Sequence, residues 1–213
     1  MRRTAPTRIP IALIGALAAT ALLPAAPKFT SVWRSSDAGS VSFAGKKVAA
    51  LVISHDDSLR VPGEEALAKE LIARGMQSVA TYRIAPKEEL QSADRAKPWF
   101  ERAGVEGVVA LRPVGRESRA SYTSGMWANP SYSTFWSYYG YGWGSVYIPG
   151  SVSRDTVVVV ETTIYSIPRN QLLWAAVSET KDSKSLPAFV QDLVKASVKE
   201  MQKQGLARNV PKK

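Results

Sequence analysis

Ser54, His55, Asp56 and Asp57 have the residue types that acyl transfer uses, and His55 is the one histidine of the chain. A hydroxyl nucleophile needs a base within hydrogen-bond reach and an acid behind that base. Here the types are adjacent in sequence, and neighbours on an extended strand point to opposite faces, so Ser54 and His55 do not meet. No Gly-x-Ser-x-Gly elbow occurs, so the strained turn that exposes a serine nucleophile is missing. As metal ligands, His55, Asp56 and Asp57 make one tripeptide with no second cluster to close a coordination shell. No glycine-rich phosphate loop opens a helix. The expectation is therefore a polar loop between strand and helix, with Asp57 or Ser58 as the cap. It carries no catalytic residue, no metal and no cofactor. A hydrolase centred near His55 is the distant alternative.

A second constellation is aromatic. Between Arg119 and Arg154 there is no charged residue, yet ten of the nineteen aromatic residues lie there. Trp127, Tyr132, Trp136, Tyr139, Tyr141, Trp143 and Tyr147 are the candidate binding residues. In Tyr139-Gly140-Tyr141-Gly142-Trp143-Gly144, rings alternate with glycine. On a strand, period two puts the rings on one face. Glycine, Pro130 and Pro149 weaken a strand, so a loop or a hairpin folded back on its own sheet is the competing expectation. Rings that combine an apolar body with a polar edge suit three partners: sugar faces, the headgroup layer of a membrane, and protein hot spots. The expected partner is an envelope protein, a glycan or a membrane interface.

The elements that must position these residues follow a regular order. Phe29–Arg34 reads as a short strand, and Asp37–Gly45 as a Ser/Gly loop. Lys47–Ser54 is an apolar run of strand length, suited to a central strand buried on both faces. A helix is expected to open at Pro62-Gly63-Glu64-Glu65, with Leu67, Ala68, Leu71 and Ile72 as its stripe and Gly75 as its stop. Gln77–Tyr82 is a second strand of this unit, and Ser92–Ala103 a helix anchored by Trp99 and Phe100 that Pro98 shortens or kinks. Glu106–Arg112 is another strand. Thr156–Ser166 and Gln171–Glu179 form a long hairpin with Trp174 in the core. Ser185–Gln204 carries the stripe of an amphipathic helix, and the tail frays. The fold class is α/β: a mixed β-sheet with helices packed on it, β-α-β-α-β, then an antiparallel hairpin and a C-terminal helix. The domain organisation expected is a signal over 1–26, a strand and linker over 27–45, one α/β domain over 46–206 with the aromatic insertion 120–153, and a frayed tail over 207–213.

The first residues set location. Arg2, Arg3 and Arg8 precede the apolar run Ile9–Leu23, and Ala25 and Ala26 follow it, the order of a secretion signal. That run of 15 residues spans about 22 Å as a helix, short of a bilayer core of about 30 Å. Cleavage and release to the periplasm or beyond are expected. The chain has no cysteine, which excludes disulfides, thiolate metal sites, thiol nucleophiles and a lipid anchor on cysteine. The formal charge is +10, of which the three arginines of the signal supply +3, leaving +7. A basic surface favours anionic partners. Nucleic acid is not expected, because no recognition motif is present.

Four segments carry a family resemblance. They are Lys28–Trp33 after the signal, Ala66–Gly75 with its Arg-Gly ending, the Tyr/Gly/Trp-rich middle, and the closing hairpin Glu161–Trp174 with Leu172-Leu173-Trp174. The layout resembles a group of uncharacterised bacterial cell-envelope lipoproteins. More remotely, it is similar to the amino-terminal domain of the Tol-system periplasmic protein and to the curli-secretion lipoprotein. The resemblance implies an envelope compartment and an α/β fold, with a subunit of an oligomeric envelope assembly or secretion pore as the alternative function. It departs at Leu22–Pro27, where those relatives have the lipid-bearing cysteine.

Overall fold

The computed structural model describes residues 27–115, 124–146, 157–181, 186–203 and 205. The expected secretion signal over 1–26, Tyr147 and the expected frayed tail 207–213 lie outside the described residues. Six strands form one open sheet: β1 (Lys28–Arg34), β2 (Lys47–Val52), β3 (Gln77–Ala80), β4 (Gly107–Val114), β5 (Val157–Ser166) and β6 (Gln171–Lys181). Their order is β1-β6-β5-β4-β2-β3. β3, β2 and β4 run parallel; β4, β5, β6 and β1 pair antiparallel. This is the α/β mixed sheet that the order of elements predicts.

The helices are α1 (Asp57–Ile72), α2 (Lys87–Leu90), α3 (Ala93–Arg102), α4 (Pro130–Ser133), α5 (Phe135–Gly144) and α6 (Leu186–Lys203). They make a layer on each side of the sheet. Val48, Ala50, Val52, Leu111 and Trp174 face Leu67 and Leu71 of α1 and Val194 and Val198 of α6. Ala49, Leu51, Ile53, Ala110 and Tyr165 face Phe100 of α3 and the rings of α4 and α5. β4 is buried at every position, which explains why its sequence reads as a continuous apolar run. In the hairpin the register slips between Ile164 and Tyr165. Leu173 is the extra residue, so Leu173 and Trp174 fall in the same layer.

Two helical expectations are corrected. α1 starts at Asp57, five positions before Pro62, and its cap is Asp56 rather than Asp57 or Ser58: Asp56 Oδ1 accepts from Ser58 N at 2.8 Å. Pro62 sits inside the helix and is exposed; it forgoes only one hydrogen bond, and the Asp56 cap offsets part of that loss. α3 likewise runs on through Pro98 to Arg102.

Gly107 begins β4 against the buried ring of Phe43, where an added Cβ would lie 2.3 Å from Cε1. Gly107→Ala is expected to destabilise the fold by about 1–3 kcal/mol through overpacking. Urea denaturation checks this, and an unchanged midpoint would refute it.

Candidate functional site

Over its described residues, 124–146, the aromatic segment is helical rather than extended. Asn129 caps α4, with Pro130 at the first helical position. Thr134 caps α5 through Ser137 N at 3.2 Å. In α5, Phe135, Tyr138, Tyr139, Gly142 and Trp143 are buried, the i, i+3, i+4, i+7, i+8 pattern of one helical face. Trp127, Tyr132, Tyr139 and Trp143 are 2%, 1%, 0% and 7% exposed. This corrects the expectation that these rings are displayed to solvent. They find more apolar contact on their own sheet than water offers. Trp136 is half-buried, and Tyr141 is 38% exposed. The rings pack edge-on and tilted, as in Phe100–Tyr139 at 6.0 Å and Trp127–Tyr132 at 5.2 Å, the offset geometries that aromatic quadrupoles favour.

Beneath the rings lies an ion pair. Arg112 on β4 and Glu161 on β5 are directly opposite in the antiparallel ladder. Their side chains point to the aromatic layer and are 4% and 0% exposed. Arg112 donates from Nε to Glu161 Oε1 and from Nη2 to Oε2, both at 3.1 Å, the bidentate fork that makes Arg–carboxylate pairs strong. The aromatic unit is tied to this pair. Tyr132 Oη donates to Glu161 Oε2 at 2.7 Å, and Arg112 Nη1 donates to Ser145 Oγ at 3.1 Å. The guanidinium carbon lies 4.9 Å from the centroid of the Tyr141 ring, a cation–π contact. Tyr165 Oη donates to the Tyr132 carbonyl at 2.9 Å.

The polar matching is incomplete. Tyr138 neighbours Thr163 and Glu161, but the Tyr138 hydroxyl, Thr163 Oγ1 and Trp143 Nε1 are buried with no contact of full hydrogen-bond geometry. Burial first, and then the Glu161 charge, hold the Tyr138 phenol well above its ordinary pKa. Burial does the same to Tyr165. Both phenols stay neutral, and Tyr165 is the donor of the two.

The end of β2 gathers the residues whose types suggested chemistry, and Ser54 and Asp57 are committed elsewhere. Ser54 is buried, and its Oγ accepts from Asp56 N at 3.1 Å. The His55 ring is exposed and packs 5.6 Å from Trp143. Asp57 binds Lys87 Nζ at 2.7 Å and Arg60 Nε at 3.0 Å. Lys87 first, and Arg60 with it, hold that carboxyl below its ordinary pKa. Among the described residues no group of three His, Cys, Asp or Glu is placed to hold a metal ion. Glu64, read in the sequence only as an acid near a helix start, is fully buried here. Oε1 accepts from Thr81 Oγ1 at 2.5 Å and from Val52 N at 3.3 Å; Oε2 accepts from Tyr82 N at 2.8 Å. Arg60 Nη1 stands 3.6 Å away. This one side chain joins α1 to the ends of β2 and β3.

No protein-family model matches this chain, and no curated protein does. Among solved structures the chain is similar to a point variant of the PelC dodecamer from Paraburkholderia phytofirmans. The TM-score is 0.45 and the identity 17%, over 81% of this chain and 97% of that one. A second PelC dodecamer from the same organism gives 0.44 and 16%, over 81% and 96%.

Sequence reasoning missed Arg112 and Glu161. The signal was present: one arginine inside Val-Val-Ala-Leu-Arg-Pro-Val and one acid inside Val-Val-Val-Val-Glu-Thr-Thr. A lone charge in a run buried on both faces needs a partner of opposite sign. Among the described residues no helix is long and apolar enough to cross a membrane.

Proposed function

We propose that this chain is an exported, non-catalytic cell-envelope protein that docks on an envelope partner through the unit at residues 124–146. One observation carries the reading. The outward side of that unit, including Ser133, Ser137, Gly140, Tyr141 and Gly144, is exposed and has no charge, in a chain of formal charge +10. A charge-free face can be covered without stranding an ion. The commitments of Ser54 and Asp57 to other contacts support the non-catalytic part. The secretion-signal pattern of residues 1–26 supports export.

The alternative role, a subunit of an envelope assembly, has its own support. A Cβ built on Gly140 or Gly144 meets nothing within 4 Å. Glycine inside a helix costs about 1 kcal/mol relative to alanine, and no internal packing compensates for it here. A second copy approaching closely would.

Ser137→Lys puts a charge on this face without touching the core. Crosslinking in intact cells is expected to capture the partner at least ten-fold less with this variant, at an unchanged melting temperature. Equal capture would refute docking through this unit. A smaller particle mass for the same variant would assign the contact to a second copy.

A further inference from the structure

We propose that the α4–α5 unit is a releasable cover, and that its rings, once off the sheet, enter the headgroup layer of an anionic membrane. This rests on the reading that residues 124–146 are the docking element, and it names the partner and the conformational change.

Three observations converge. First, the rings inside the cover belong to a stretch with no charge from 120 to 153. Such a stretch can enter an interface without dragging an ion in, and Tyr and Trp are the residues that settle there. Closed, the unit shows the outside only Tyr141 and part of Trp136; open, it adds Trp127, Tyr132, Tyr139 and Trp143. A membrane therefore binds the open form better, which is the differential affinity a ligand needs to shift an equilibrium.

Second, the seam between cover and sheet is imperfect. Tyr138 Oη, Thr163 Oγ1 and Trp143 Nε1 are buried without a well-formed hydrogen bond, and the Arg112–Glu161 pair is held out of water. Release rehydrates all of them. α5 itself contains Gly140, Gly142 and Gly144, which lowers its own helical stability.

Third, the charge is complementary. The body is basic, about +7 once the signal's three arginines are set aside from +10. Lys and Arg near an anionic leaflet attract it over a Debye length. The body is drawn to the surface, and the cover then has an apolar layer to enter. A glycan strand offers neither anionic lipid nor an acyl boundary.

A reversible lock tests this. The chain has no cysteine, so Ile53→Cys with Gly142→Cys introduces the only thiols. A Cβ on Gly142 lies 2.6 Å from Ile53 Cδ1 and 3.7 Å from its Cγ2, so these two side chains are neighbours across the seam, and oxidation is confirmed by loss of free thiol before flotation. The protein is purified as the cell exports it and floated with vesicles of phosphatidylglycerol and phosphatidylcholine. The oxidised double variant is expected to float at least ten-fold less than its reduced form, and the reduced form to float at least as much as the wild type. Phosphatidylcholine alone should float neither. Equal flotation of both forms overturns the proposal, and so does flotation of neither. If neither floats while Ser137→Lys still loses its crosslinked partner, docking stands and release fails. Capture of the reduced but not the oxidised form on an insoluble glycan overturns the membrane assignment. Hydrogen exchange of the wild type is independent of the variant: amides of 135–144 should open at least ten-fold more often than those of β4 and β5. Opening at the same rate as those strands overturns release.

Discussion

Glu161→Ala is expected to destabilise the fold by about 3–5 kcal/mol, because it leaves the Arg112 guanidinium buried without its counter-charge. The carboxylate also accepts from Tyr132 Oη, so the variant orphans a second donor in the same place. At about 2–4 °C per kcal/mol for a chain of this size, the melting temperature should fall by roughly 6–20 °C. The paired replacement Arg112→Met with Glu161→Leu removes both charges. It is expected to recover the part of that loss due to the stranded charge, since an apolar pair needs no desolvation, while Tyr132 Oη still lacks its acceptor. A double-mutant cycle in urea gives the coupling directly. The account fails if the double variant is as unstable as Glu161→Ala, or if Glu161→Ala melts with the wild type.

This pair also shows where sequence reading runs out. The central strands were legible because residues buried on both faces leave a continuous apolar run, as at Lys47–Val52 and Gly107–Val114. The closing hairpin was legible from Pro168-Arg169-Asn170 between two long runs, and Asn170 does take a positive φ of 48°. The strand order and the parallel-to-antiparallel change at β4 are not written in any local pattern. They follow from which faces remain to be covered once α1 and α6 occupy one side.

The aromatic segment was misread for a physical reason. Tyr139–Gly144 alternates with period two, and glycine disfavours helix, so a strand or loop was the local preference. The longer period was there too: positions 135, 138, 139, 142 and 143 share one helical face. The Asn129-Pro130 and Thr134 caps bounded it. Tertiary packing decided the conflict, because the helical form alone puts Phe135, Tyr138, Tyr139 and Trp143 on the sheet together. Gly142 then has a role of its own, since its missing side chain makes room for Ile53.

Glu64 gives the other large effect, and its sign with pH is fixed by burial. Desolvation, outweighing its hydrogen bonds, raises the folded-state pKa of this carboxyl above the ordinary value. As pH rises past that ordinary value, the unfolded chain loses the proton first. Stability is therefore greatest below the ordinary value, falls as pH climbs toward the raised one, and is flat above it. Asp57 works in the opposite sense and at lower pH, because its pKa is lowered, so the two windows do not overlap. Glu64→Gln keeps an oxygen to accept from Val52 N and Thr81 Oγ1, loses the acceptor of Tyr82 N, and cannot titrate. Its urea midpoint should lose the decline that the wild type shows above the ordinary carboxylate range. Glu64→Ala removes the bracket. It leaves the Val52 and Tyr82 amides and the Thr81 hydroxyl without their acceptor, and Arg60, 5% exposed, without one of its acids. A loss of about 3–5 kcal/mol is expected. An Ala variant as stable as the wild type would mean that α1 is held to β2 and β3 by apolar packing alone, and a Gln variant with the same pH slope would mean that a group other than Glu64 sets it.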